Sequence, residues 1–180
     1  CGRASRRVRR GCQPHRDRGR SVGGNMTAVV ALLAKERNGP RVKAQLLFYP
    51  VTDASMSTGS YKEFAEGPWL TKKGMEWFWD QYLPDVSKRT DIHVSPINAS
   101  SEQLKGLPQT LLLVDENDVL RDEGEAYGRK LAAAGVPVRS VRYNGTIHDF
   151  MLLNAIANTP PVRGAVDQAS DYLRKVFAGS

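Results

Sequence analysis

Short, nearly continuous apolar runs alternate along this chain with longer segments in which apolar residues recur every three or four positions. The runs KAQLLFYPV at 43–51 and TLLLV at 110–114 predict two strands, and PVRSVRY at 137–143 predicts a third. The first two runs have no polar face, which is typical of strands that are covered on both sides of a sheet.

One helix is predicted before the first strand, and another is predicted between the first strand and the second. The segment from about residue 24 to residue 36 has apolar residues at helical spacing and is followed by Asn-Gly-Pro at 38–40. Another helix begins after Thr71, a favourable N-cap residue, and ends before Pro84. Apolar and aromatic residues lie along one face of this second helix: Met75, Phe78, Trp79 and Tyr82.

Two more helices are predicted beside the later strands. Asp122, with Glu125 three residues further on, resembles a capping box that would open a helix ending at Gly135. Pro160 and Pro161 would start the last helix, which has an apolar stripe of 3.6-residue period. The members of the stripe are Val162, Ala165, Val166, Ala169, Leu173, Val176 and Phe177.

This alternation of helices and apolar strands predicts an α/β fold with a mostly parallel sheet and flanking helices. Three strands are few for a sheet that must be covered on both faces. Residues 21–180 are therefore interpreted as the C-terminal part of a larger α/β domain. The chain begins with Cys rather than Met, which also suggests a fragment.

The positive charge of the chain is concentrated at its start. The formal net charge is +7, and residues 1–20 hold eight Arg, no Lys and one Asp. The remaining 160 residues hold 18 basic and 18 acidic side chains. Like charges with few apolar residues predict a disordered arm over residues 1–20. A tail that binds nucleic acid is the alternative, against which the neutral remainder and the lack of interleaved aromatic residues both argue.

Cysteine usage and hydropathy exclude several classes of protein. Cys1 and Cys12 are the only cysteines, and their spacing fits no common zinc, redox or disulfide motif. The apolar runs are too short to span a bilayer, and no apolar stretch follows the Arg-rich start as it would in a secretory signal. We therefore expect a cytoplasmic protein without a membrane span.

Several polar residues occupy positions where strands end, which is where open α/β sheets carry their reacting groups. Ser21 lies in Gly-Arg-Ser-Val-Gly at 19–23, a G-x-S-x-G pattern directly before the first helix. Asp115, Asp118 and Asp122 follow TLLLV, and His148 follows PVRSVRY. The chain order Ser, Asp, His is the order found in α/β-hydrolases.

These residue types suit nucleophilic catalysis. A serine hydroxyl needs a nearby base, and a histidine can accept and return a proton near neutral pH. A carboxylate such as Asp118 would hold the imidazole in one tautomer and stabilise the imidazolium. The backbone N–H of Val22 at the helix N-terminus would favour a developing oxyanion. Gly23 and Gly24 would let the helix pack closely on the sheet. This chemistry needs no metal and no organic cofactor.

Each feature taken alone has an ordinary structural explanation. A G-x-S-x-G sequence occurs often by chance, a loop histidine is usually solvated, and Asp118 could merely cap a turn. His93, which no predicted strand end positions, is interpreted as structural, and His15 lies in the arm. Four aromatic residues are interpreted as core, with the wall of an acyl site as the alternative: Trp69, Trp77, Phe78 and Trp79.

Three motifs together carry a family resemblance. GRSVGGNM resembles the GDSAGGN elbow of the hormone-sensitive-lipase-like branch of the α/β-hydrolases, which includes many bacterial esterases. ENDVLRDEGEAYGRKLAAAGVPV resembles the DPLRDEG segment of that family, and YNGTIHDFMLLN resembles its HGF histidine loop. The resemblance covers residues 19–180. It implies a carboxylesterase with Ser21 as nucleophile, Asp118 as triad acid and His148 as base, acting on short- or medium-chain acyl esters.

The sequence departs from the family pattern in several places. Val119 replaces the usual Pro, Asp149 the usual Gly, and Arg20 the Asp before the nucleophile. The family's HGGG oxyanion loop, its cap segment and the first half of its sheet lie upstream of the elbow and have no counterpart in this sequence. Without those N–H donors, ester hydrolysis is expected to lose about 10²–10³ or more in rate.

The residues before Ser21 suggest a separate hypothesis. The family places an apolar strand there, whereas this chain has PHRDRGR. With one permitted choice of codons, a one-base shift turns this stretch into Ile-Ala-Ile-Ala-Gly-Asp, and one restored base makes Ser the next residue. We hypothesise that residues 1–20 are an out-of-frame translation of a gene of this family.

The sequence as a whole thus predicts a serine carboxylester hydrolase that binds a small-molecule ester and forms an acyl-enzyme. Three alternatives stay open: a catalytically inactive fragment, a non-enzymatic small-molecule receptor on the same fold, and a nucleic-acid binder that uses the basic arm. A homo-oligomer is also compatible with the sequence.

Overall fold

Four parallel strands form the sheet of the computed structural model, which describes residues 15–178. The strands lie side by side in the order of the chain, β1-β2-β3-β4, and each neighbouring pair is parallel. Leu47 in the second strand lies opposite Gly19 in the first and Leu112 in the third. The bounds are His15–Arg20 for β1, Val42–Phe48 for β2, Gln109–Asn117 for β3 and Val138–Ile147 for β4.

Six α-helices connect and cover these strands within the described residues. Short 3₁₀ turns at Val86–Lys88, Pro96–Asn98 and Asn154–Ile156 lie in the intervening loops. None of the helices in this part of the chain is both long and apolar enough to cross a membrane. The helices are α1 Val22–Glu36, α2 Gly59–Glu63, α3 Lys72–Tyr82, α4 Ser101–Leu104, α5 Arg121–Ala133 and α6 Pro160–Ala178.

The two faces of the sheet are buried by different helices, which explains the continuous apolar runs of β2 and β3. Leu47 and Leu112 belong to a core shared with α1 and α5. Leu46 and Leu111, their neighbours along the strands, belong to a second core shared with α6. Successive strand residues point to opposite faces, so both must be apolar when both faces are covered. The predicted α/β class with a parallel sheet and flanking helices is thereby confirmed.

The predicted helices are also present, with one difference in how a helix begins. Thr71 caps α3, since its Oγ1 accepts a hydrogen bond from the Gly74 N–H at 3.0 Å. Asp122, however, does not cap α5. The helix begins at Arg121, with Leu120 at the N-cap position, so Asp122 lies within its first turn. The Asp122 carboxylate instead accepts the Ser60 N–H at 2.7 Å, so it ties α2 to the start of α5.

The structure differs from the prediction of a disordered arm over residues 1–20, because residues 15–20 form β1. Parallel pairing uses backbone N–H and C=O groups, which are the same for every residue type except Pro. Arg20 lies opposite Phe48, and the Ser21 N–H donates to the Phe48 carbonyl at 3.0 Å. The sheet therefore has a strand before the serine. Residues 1–14, with Cys1 and Cys12, lie outside the described part of the chain.

Candidate active site

Ser21 lies at a sharp turn between the end of β1 and the start of α1. Its backbone has φ 50° and ψ −119°, a conformation that costs free energy for a residue other than Gly. The turn is held by neighbours, because the Ser21 N–H donates to Phe48 O at 3.0 Å and the Ser21 carbonyl accepts from Val51 N at 3.2 Å. This strained strand-to-helix turn is the geometry of a nucleophile elbow, and it presents the serine side chain above the sheet.

Two glycines make the elbow sterically possible. A Cβ on Gly19 would lie 1.7 Å from the carbonyl oxygen of Gly23, and a Cβ on Gly24 would lie 2.7 Å from Pro50 Cβ. The expectation that Gly23 and Gly24 both allow close packing needs correction for Gly23. A Cβ at Gly23 would meet nothing within 4 Å, because that position faces open space.

Of the three residues predicted as a catalytic set, His148 lies within hydrogen-bonding distance of both Ser21 and Asp118. The Nε2 of His148 is 3.0 Å from Ser21 Oγ, and its Nδ1 is 2.7 Å from Asp118 Oδ2. His148 and Asp118 are buried, whereas Ser21 is partly exposed. The loops after β1, β3 and β4 each supply one residue, as expected when parallel strands end at the same edge of a sheet.

Further contacts fix the orientation of this set. The second Asp118 oxygen, Oδ1, accepts the Leu120 N–H at 3.0 Å, which holds the carboxylate in place. The ring of Tyr49 packs edge-on against the imidazole of His148, with centroids 4.9 Å apart. One oxygen of Asp118 thus contacts the imidazole and the other contacts a backbone N–H group, so the orientation of the carboxylate is fixed. The imidazole is held between this carboxylate and the Tyr49 ring.

The electrostatic environment raises the pKa of His148. Burial acts to lower it, but the charge of Asp118, the hydrogen bond to Asp118 and the charge of Asp149 together outweigh burial. The imidazolium form is thus favoured more than in a free histidine. A base that gains a proton readily is what the transfer of a serine proton requires.

A second buried carboxyl, Asp115, lies beside Asp118. Among the described residues no N–H or hydroxyl group donates to its oxygens, and its hydrogen-bonding contact is with the carboxylate of Asp118. Burial, followed by the charges of Asp118 and Asp149, raises the pKa of Asp115 to about 10. Asp115, Asp118 and His148 bring possible metal ligand atoms within 4.8 Å of one another. Because the Asp118–His148 hydrogen bond already engages two of these three residues, the arrangement suits proton transfer better than metal binding.

A pocket of about 550 Å³ opens beside Ser21 and His148. Its walls are mainly apolar and aromatic, and they include Trp69, Phe78 and Trp79. Of the four aromatic residues interpreted as core, Trp79 is buried, but the interpretation is wrong for Trp69, Trp77 and Phe78, which are more than half exposed. Trp69 and Phe78 line this pocket, whereas Trp77 does not. Val22 also lines the pocket, at the first residue of α1, where backbone N–H groups have no partner within a helix.

Sequence reasoning did not identify two residues of the site. Tyr49 has a positive φ of 36°, and nothing in its sequence neighbourhood indicates contact with a histidine a hundred residues away. In the sequence, Asp149 is only a departure from the family pattern, but in the structure its Oδ1 lies 3.8 Å from His148 Nε2. His93 lies apart from the site, with its Nε2 2.8 Å from Glu36 on α1.

Comparison with known proteins places this geometry in a family. A family model described as the alpha/beta hydrolase fold matches residues 18–152. A thermostable esterase from Pseudomonas putida, known from its crystal structure, is 60% identical with a TM-score of 0.84, over 86% of this chain and 48% of the esterase. An ethyl acetate hydrolase from Pseudomonas putida is 37% identical over 77% of this chain and 43% of its own length.

A fungal relative also matches most of this chain but only about half of its own length. Carboxyl esterase 2 from the fungus Tuber melanosporum superposes with a TM-score of 0.86 at 34% identity, over 88% of this chain and 53% of the esterase. The chain thus spans about half the length of the relatives that it matches. From the match over residues 18–152 and these esterase relatives, we conclude that the chain belongs to the α/β-hydrolase fold family, in its hormone-sensitive-lipase-like branch.

Proposed function

We propose that this chain carries the catalytic residues of a serine carboxylester hydrolase that acts through an acyl-enzyme. One observation carries the proposal: the continuous path Asp118–His148–Ser21, with separations of 2.7 Å and 3.0 Å, ends at the mouth of an apolar pocket. The esterase and ethyl acetate hydrolase relatives support an ester as substrate.

In the first half of the reaction, Ser21 Oγ bonds to the ester carbonyl carbon while His148 Nε2 takes the serine proton. Asp118 stabilises the imidazolium that forms. The negative charge moves to the carbonyl oxygen, next to the Val22 N–H and the N-terminal end of α1. The carbon–oxygen bond to the alcohol then breaks, and His148 gives its proton to the departing oxygen.

In the second half, water attacks the acyl-serine carbonyl. His148 Nε2 takes a proton from this water and returns it to Ser21 Oγ when the acyl group leaves as the acid. The ester and one water thus become an acid and an alcohol, and the protein returns to its starting state. We take short- or medium-chain acyl esters as the substrate class because the family resemblance implies them, and the mainly apolar walls of the pocket support this choice.

A covalent probe tests this proposal on the full chain. A fluorophosphonate should label Ser21, and the chain should hydrolyse p-nitrophenyl acetate or butyrate. Ser21→Ala should abolish both, whereas Ser101→Ala, at an exposed serine on α4, should change neither. Labelling that survives Ser21→Ala would refute Ser21 as nucleophile. A folded chain that neither reacts nor turns over would identify it as the inactive fragment.

A further inference from the structure

Asp149 places a negative charge inside an otherwise apolar pocket. Of the described residues that line the pocket, Asp149 is the one carboxylate, and none is Lys or Arg. Its Oδ1 lies 3.8 Å from His148 Nε2, the nitrogen that faces Ser21. The charge therefore stands next to the position where His148 would protonate a departing alcohol.

The carboxylate is held in this position from two sides. The indole N–H of Trp69 donates to Asp149 Oδ2 at 3.3 Å. The backbone of Asp149 has φ 65°, and that of Trp69 has φ 72°, conformations in the left-handed region that Gly occupies without strain. Two strained residues thus share the hydrogen bond that fixes this charge, and strain of this kind is often found at functional sites.

The charge has no compensating cation in the described part of the chain. Between residues 19 and 178, no Lys or Arg nitrogen forms an ion pair with Asp149, and its one such contact is with His148. The Asp149 side chain is about a quarter exposed, so a bound molecule can reach it.

Aromatic rings face the same space. The side chains of Trp69, Phe78 and Tyr82 line the pocket and are each at least half exposed. A ring face attracts a cation, and a quaternary ammonium ion, which has no N–H groups to hydrate, is well suited to a site that combines rings with a carboxylate.

We propose that the pocket selects esters whose alcohol portion carries a quaternary ammonium group. This inference rests on the proposed ester hydrolysis and names its substrate class. The acyl carbonyl would lie at Ser21, and the alcohol oxygen at His148 Nε2. The cation, two carbons further along the alcohol, would lie between the Asp149 carboxylate and the aromatic rings. Hydrolysis would then release a cationic alcohol of the choline type.

Turnover of a matched pair of esters tests this selectivity. Acetylcholine and its neutral isostere 3,3-dimethylbutyl acetate differ at one atom, which is a positively charged nitrogen in the first and a neutral carbon in the second. In the full chain, the ratio of their kcat/KM values should favour acetylcholine, and Asp149→Asn should lower this ratio about tenfold. Any change in His148 basicity acts on both esters and cancels in the ratio. Asp167→Asn, which removes an exposed charge on α6, should leave the ratio unaltered.

Binding measured without turnover separates this inference from the proposed function. The Ser21→Ala protein is titrated with choline and, separately, with 3,3-dimethylbutan-1-ol, and tryptophan fluorescence monitors binding. The two titrations give a ratio of dissociation constants. Adding Asp149→Asn should shift this ratio about tenfold against choline. A ratio that Asp149→Asn does not move, in turnover or in binding, would overturn the cation site. A shifted binding ratio without hydrolysis of either ester would support the cation site and refute the proposed function.

Discussion

His148 Nδ1 lies 2.7 Å from Asp118 Oδ2, and both side chains are buried at the same edge of the sheet. Asp118 follows β3 and His148 follows β4, so the parallel pairing of these strands brings the two residues together across 30 positions of sequence. The hydrogen bond fixes which ring nitrogen faces Ser21.

Replacing Asp118 with Asn should impair catalysis without unfolding the chain. The amide would donate to the imidazole or leave it in the wrong tautomer, and the imidazolium would lose its stabilising charge. We expect kcat for p-nitrophenyl acetate to fall by about 10⁴-fold. Asp167→Asn is the matched control at an exposed site. An Asp118→Asn protein that keeps most of its kcat would show that another group orients His148.

The acid limb of the pH profile should report the environment of His148. Burial lowers its pKa, but Asp118 and Asp149 together raise it above the usual value. Only the neutral imidazole accepts the serine proton, so kcat/KM should fall as pH drops through a value above about 6.5. Asp149→Asn removes one of the raising charges and should move this limb to lower pH. A limb that stays in place would mean that Asp149 does not act on His148.

Asp115→Asn should stabilise the protein, and more so at higher pH. The pKa of Asp115 is raised to about 10, whereas a carboxyl in an unfolded chain ionises near pH 4. Between these values the folded state holds a proton that the unfolded state has lost, so stability falls as pH rises.

Melting temperatures of wild type and Asp115→Asn at pH 5 and pH 8 measure this effect. The rise in melting temperature caused by the substitution should be larger at pH 8 than at pH 5. Each kcal/mol of added stability corresponds to about 2–4 °C in melting temperature. Asp167→Asn, an exposed acidic residue, controls for the change in net charge. A gain that is equal at both pH values would contradict a neutral, buried Asp115.

Two adjacent glycines should respond in opposite directions to the same substitution. Gly24→Ala places a Cβ 2.7 Å from Pro50 Cβ and should cost about 1–3 kcal/mol of unfolding free energy through overpacking. Gly23→Ala meets nothing within 4 Å and should add up to about 1 kcal/mol, because Ala favours a helix over Gly. Urea unfolding measures both. Equal effects would mean that α1 can shift away from the sheet.

The strand β1 offers a test of the out-of-frame hypothesis. A gene read in the shifted frame would encode an apolar strand and Asp before Ser21. Sequencing the DNA across codons 1–25 checks this directly, and a codon set that does not yield the strand would refute it.

Replacing residues 15–20 with Ile-Ala-Ile-Ala-Gly-Asp should raise the melting temperature, because strands of a covered parallel sheet are normally apolar.

Much of the fold and the identity of the candidate residues could be predicted because they depend on local patterns. Apolar runs located β2 and β3, and the G-x-S-x-G sequence located Ser21. β1 could not be predicted because its polar, Arg-rich sequence lacks the apolar run that indicates β2 and β3, although its backbone groups pair in the same way. The cap of α5 was mispredicted because the Asp122 carboxylate bonds to Ser60, which is distant in sequence.

The surroundings of the site were the least predictable part. Tyr49 and Asp149 reach His148 only because of the tertiary packing, and Trp69 meets Asp149 across 80 positions of sequence. The raised pKa of Asp115 also depends on burial that no local pattern reveals. Sequence motifs therefore indicate candidate residues, whereas the electrostatic environment of each one depends on its neighbours in three dimensions.

The contact between Ser21 Oγ and His148 Nε2, 127 positions apart in sequence, joins the residues that follow β1 and β4, the two edge strands of the sheet. A slip of β1 by one residue along β2 would move Ser21 by about 3.3 Å and break the contact. Reaction of Ser21 with a covalent probe would therefore report whether β1 pairs with β2 in the correct register. A fluorophosphonate added during refolding would mark only those molecules in which all four strands have aligned, so the moment of labelling would time the completion of the sheet.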